Sequence, residues 1–68
     1  MAFVVASRTE LDKNEQGSTR VWDFRVDAEE HAHRLNVRDN TRFEWAPIEV
    51  DNVKELSIVE RKFASKKV

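Results

Sequence analysis

The sequence predicts an α+β domain: a small antiparallel sheet with one short helix packed on one face. Three observations lead there. The chain opens on a β-branched and aromatic stretch, Ala2 to Arg8 (AFVVASR). From Thr19 to Val26 (TRVWDFRV) it alternates, with Trp22, Phe24 and Val26 on one side and Val21, Asp23 and Arg25 on the other. That is the period of a half-buried strand. After Asp27 the period changes, and Ala28, His31, Ala32 and Leu35 fall at the i, i+3, i+4, i+7 spacing of one helix face.

Ala2 to Arg8 is the first predicted strand. Thr9 to Ser18 (TELDKNEQGS) is polar, holds the single glycine, Gly17, and reads as a long loop. Thr19 to Val26 is the second strand, returning antiparallel to the first. Asp27 then caps a helix, with Glu30 three residues on in the manner of a capping box. Glu29, Glu30, His33 and Arg34 remain for solvent, and the helix ends near Asn36.

Val37 to Thr41 is a polar connection to a third strand, Arg42 to Val50 (RFEWAPIEV), where Phe43 and Trp45 share a face. Pro47 has no backbone donor, so this strand lies at an edge there or bulges. Asp51-Asn52 suits a tight hairpin turn. Val53 to Phe63 supports two readings. As a strand, Leu56 and Ile58 share one face and Val59 and Phe63 the other. As a helix, Asn52 caps it, Glu55 completes the box, and Val53, Leu56, Val59 and Phe63 form a stripe. Ser57-Ile58-Val59 and the turn before them favour the strand.

The order is therefore ββαββ, or ββαβα with a helical last segment. Residues 1–63 form a single domain, and 64–68 a basic, frayed tail. The expected core is Phe3, Val5, Trp22, Phe24, Val26, Ala28, Ala32, Leu35, Phe43, Trp45, Ile48, Leu56 and Ile58.

Composition narrows the function. With 68 residues there is room for one domain, and with no cysteine there is no disulfide, thiolate metal site or thiol nucleophile. The balance of 12 Lys/Arg against 13 Asp/Glu gives a net charge of -1, without the basic surplus of non-specific nucleic-acid binders. Residues 1–8 lack the basic leader and cleavage site of a signal peptide, and no apolar run approaches a membrane span. The expectation is a cytoplasmic protein with no membrane partner.

Asp12-Lys13-Asn14-Glu15-Gln16-Gly17, ending at Asp23, loosely follows a calcium loop. It departs at Gln16 and Asp23, and its flanks read as strands, so a polar hairpin loop is the better account. His31 and His33, two apart on a helix, point to nearly opposite sides and cannot grip one ion. Glu29 and His33 give two ligands, too few for a dedicated site. No metal and no cofactor is expected. The serines lack a nucleophile-elbow context, and there is no glycine-rich phosphate loop. A non-enzyme is expected.

Two binding readings remain. One short helix cannot cover both faces of a four-stranded sheet. Val4, Ala6, Val21, Ala46 and Val59 then lie on or near an uncovered face, or beside an edge, with Asp23, Arg25 and Glu44 around them. An apolar patch with a charged rim is how an interface looks, and open sheet edges pair with other chains. This reading makes the chain a protein-interaction module: a homodimer, or an accessory or inhibitory factor docking on a larger partner. Very small α+β proteins of this kind are common among phage and mobile-element products, which is association alone. The alternative is a single-stranded nucleic-acid binder that uses Arg20, Arg25, Arg42, Lys66 and Lys67 around the sheet aromatics.

Overall fold

The structure, a computed structural model, describes residues 1–64. Their order is β1 (Ala2–Ala6), α1 (Arg25–Arg38), β2 (Ala46–Val50) and α2 (Val53–Ala64). The expected α+β class with an antiparallel sheet is present, but among the described residues the sheet has two strands. β1 pairs antiparallel with β2, from Ala2 opposite Val50 to Ala6 opposite Ala46.

Successive side chains of a strand point to opposite faces, and both faces of β1 are used. Phe3 and Val5 pack with Ala28, Ala32, Leu35 and Trp45, beneath α1. Val4 and Ala6 pack with Leu11 and Val50, beneath the half-buried Leu56, Val59 and Phe63 of α2. Val4 and Val5 are completely buried. The sheet is thus a thin middle layer between two helices, and the expectation of one helix and an uncovered face is corrected. The reason lies in 53–63. Asn52 Oδ1 accepts from the Glu55 N–H at 2.9 Å, and the Glu55 carboxylate accepts from the Asp51 N–H. With that cap in place, burying the stripe of Leu56, Val59 and Phe63 outweighs the lower helix propensity of Ile58 and Val59, about 0.5 kcal/mol per residue relative to alanine. Asp51-Asn52 is therefore a helix start, not a hairpin turn, and Ile58 points outward.

The second predicted strand also gives way. Of residues 19–26, Trp22 alone bridges β1, exchanging two 2.7 Å backbone hydrogen bonds with Phe3. Farther along, that same side of β1 is taken by Leu11 and Asp12: Ala6 bridges Leu11, and the Asp12 N–H donates to the Val5 carbonyl at 2.8 Å. Residues 13–19 turn back on themselves, with Lys13 opposite Thr19 and Gly17 at φ +85. The alternation in 22–26 is overridden because α1 starts at Arg25. Phe24 is its cap position, without a side-chain cap bond, so the Asp27 capping box is not formed. Asp27 instead lies in the first turn, where a carboxylate favours the helix dipole. Phe24 and Val26 are exposed, not core.

The third predicted strand shortens to Ala46–Val50, which leaves Phe43 89% exposed. Residues 39–45 are shaped by the end of α1, which runs to Arg38. Asn40 adopts φ +57, the Asn40 N–H donates to the Val37 carbonyl, and the Thr41 N–H to the Asn36 carbonyl. This is the paired-bond Schellman ending, with Asn in the left-handed position usually given to glycine. Ala64 of the predicted tail belongs to α2, and residues 65–68 lie outside the described residues.

Candidate interaction site

Six of the residues expected at a partner face are not brought together. Val4 is fully buried and Val59 half-buried, both in the layer beneath α2. Arg25 opens α1, lies over the Phe3 ring at 5.2 Å and approaches Glu49 at 3.7 Å. Glu44 is half-buried and pairs with Arg8 at 3.5 Å. Asp23 is exposed just before α1. Val21 is the one that stays at an apolar surface, 48% exposed.

The nucleic-acid set is dispersed too. Arg20 is half-buried, with Nε 3.5 Å from the Asp12 carboxylate, an ion-pair contact without a hydrogen bond. Arg42 is exposed in the loop before β2. Lys66 and Lys67 lie outside the described residues. Trp45 is buried and Trp22 packs against the same cluster, whereas Phe24, just before α1, and Phe43, in the segment before β2, are exposed. The four aromatics share no sheet face.

The sheet edges are occupied as well. In an antiparallel pair, backbone groups alternate between the partner strand and the outside. Phe3 gives its N–H and C=O to Trp22, so its opposite number on β2, Glu49, directs its own groups outward. Trp45, Pro47 and Glu49 share that outer side. The buried Asn36 closes the first position: its Oδ1 accepts from the Trp45 N–H at 2.8 Å, and its Nδ2 donates to the Trp45 carbonyl at 3.0 Å. Pro47 has no N–H. Among the described residues, Glu49 alone keeps a complete outward pair, and the other edge, along β1, is held by Leu11, Asp12 and Trp22.

What is left is a groove of about 330 Å³ where the start of β1, the segment at Val21 and the start of α2 meet. It is lined by Met1, Ala2, Val21, Val50, Val53 and Leu56, with Asp51 and Asn52 at its polar end. Met1 and Val53 are each 78% exposed. Of these, the sequence reading identified Val21. Met1 and Val53 were missed because their neighbourhood forms only when residues 51–56 turn into a helix; the capping pattern Asn52-x-x-Glu55 was the available signal.

A second cluster is polar. His31 on α1 reaches Asp12 on the hairpin, Nε2 to Oδ2 2.7 Å, and stacks on Trp22 with ring centroids 4.9 Å apart. A shallow groove of about 210 Å³ lies beside it, lined by Trp22, Asp27, Glu30, His31 and Arg34. Asn14 spends its Oδ1 on the N–H groups of Gln16 and Ser18, as a turn residue does. Among the described residues no three His, Cys, Asp or Glu are placed to hold a metal ion. Beyond the end of α1, Asp39 accepts from Arg38 and from the Trp45 indole N–H, and these bonds hold its carboxyl below the usual range. The same Asp39 bond raises Arg38.

Fold and site together define a small α+β domain with helix, two-stranded sheet and helix in layers, and an apolar groove at one end. Among the described residues no helix is long and apolar enough to cross a membrane. Compared with known proteins, the chain matches no family model, no curated protein and no solved structure.

Proposed function

We propose that this chain is a small, non-enzymatic protein-interaction module that docks on a larger protein as an accessory or inhibitory factor. The seat is the groove at Val21, rather than the sheet face or edge that the sequence suggested. The observation that carries the reading is the clustering of exposed Met1, Val21 and Val53 around a concave apolar surface with one carboxylate, Asp51, at its end. Scattered exposed apolar residues are ordinary, but a contiguous concave group with a polar rim is the anatomy of a binding patch.

Val21→Glu puts a charge in the groove at a half-exposed residue that belongs to neither buried cluster. Affinity purification from the native host with the parent chain is expected to recover a discrete stoichiometric complex. The Val21→Glu chain is expected to keep its circular dichroism and lose that complex. A complex unchanged by Val21→Glu, or none recovered with the parent, overturns the proposal.

A further inference from the structure

The helix α2 covers the second sheet face without being embedded in it. None of its residues is fully buried, although the layer beneath it contains Val4 at 0% exposure and Val50 at 3%. Its link to β2 is two residues long, Asp51 and Asn52. The hydrogen bonds of that link join it to α2: Asp51 N–H to the Glu55 carboxylate, Glu55 N–H to Asn52 Oδ1, and Leu56 N–H to the Asn52 carbonyl. The cap therefore belongs to the helix and travels with it, and the pivot is at the end of β2. Across from the pivot, α2 meets the hairpin at its surface, where Thr19 Oγ1 donates to Glu60 Oε2 at 2.6 Å.

We propose that α2 is an exchangeable cover, and that two copies of the chain trade it, each α2 closing the Val4–Ala6 face of the other copy. The occupant is fixed by complementarity already present. The stripe of Leu56, Val59 and Phe63 matches this face within one chain, so a second copy remakes the same contacts and needs no new surface. Opening the link exposes the face for a moment, and closing it on another chain restores the burial. The exchanged form differs in the path of the link and in the entropy of joining two chains, so concentration favours it. A two-residue link suits this. Once opened it has no slack to guide its own helix back, and a longer link would supply that slack. This inference does not rest on docking at Val21, although Val53 and Leu56 of α2 also line that groove.

The test uses the absence of cysteine from the chain. Thr19→Cys and Glu60→Cys are made separately, in a Val21→Glu background that removes contacts through the groove. The two are unfolded together, refolded at high concentration and treated with a short thiol-reactive cross-linker. Exchange predicts a covalent species of twice the chain mass. Its share rises with refolding concentration, and it is absent when either variant is treated alone. Inserting Gly-Gly-Ser between Asp51 and Asn52 is expected to suppress it. Light scattering on the Val21→Glu chain without cysteines gives the second readout, a mass rising toward twofold after concentrated refolding. A single-chain mass at every concentration, or a twofold mass with no cross-link between the two variants, overturns the proposal.

Discussion

Asn36 sits at the end of α1 with 6% of its surface exposed, and each of its side-chain polar atoms has a partner. Two bonds go to the backbone of Trp45, and a third comes from the Thr41 hydroxyl at 2.9 Å. A buried donor or acceptor left unpaired costs about 1–3 kcal/mol, so this one amide fixes where the chain re-enters the sheet. Nearby Asp39 joins Arg38 and Trp45 and has a pH signature. Its carboxyl is held low by the Arg38 bond first and the Trp45 indole second. A depressed folded value means that the stabilisation is present above the ordinary carboxylate range and is lost as pH falls through the folded value. Asp39→Asn is therefore expected to melt below the parent at neutral pH, with the gap closing in acid, as pH falls below the ordinary carboxylate range. The group is exposed, so the gap is small and shrinks with salt. Melting curves at the two pH values check this, and a gap independent of pH contradicts it.

At the scale of elements, α1 was legible from the spacing of Ala28, Ala32 and Leu35, and all three are buried. β1 was legible from its run of β-branched residues. The boundaries were not, because each depends on a partner distant in sequence. Arg25 and Val26 join the helix where Arg25 meets Glu49 and the Phe3 ring. The third strand loses Arg42 to Trp45 because Asn36, nine residues before Trp45, takes over the backbone of Trp45. α2 was readable from Asn52 and Glu55, yet Ser57-Ile58-Val59 and the apparent turn at Asp51-Asn52 favoured a strand. The cap decides it, and its removal is measurable. Asn52→Ala is expected to cost about 1 kcal/mol, which lowers Tm by about 4–8 °C in a domain of this size. Thermal melts of the two proteins give the comparison, and an unchanged Tm refutes the role assigned to the cap.

For the molecule as a whole, the candidate site depended on counting helices. With one helix, Val4 and Val59 belong to an open face. With two, both faces are covered, and the unfilled apolar surface moves to the end of the sheet, at Met1, Val21 and Val53. Val21 kept its place in both accounts because it lies beside the bridge at Trp22 rather than on a strand face. That shift is a property of packing, and nothing local to Val4 announces it.

The outer side of β2 bears on how the chain survives crowding. Asn36 closes the edge at Trp45 and Pro47 withholds a donor, so an incoming strand finds one complete pair, at Glu49, and meets a carboxylate there. Pro47→Thr restores a donor and a strand-forming side chain in the middle of that edge. Parent protein is expected to stay clear on prolonged agitation near its melting temperature, whereas Pro47→Thr develops thioflavin-positive fibrils sooner. Equal lag times for the two contradict this. On that outcome, the one proline of this cysteine-free chain of 68 residues joins Asn36 and Glu49 in guarding the edge against amyloid growth.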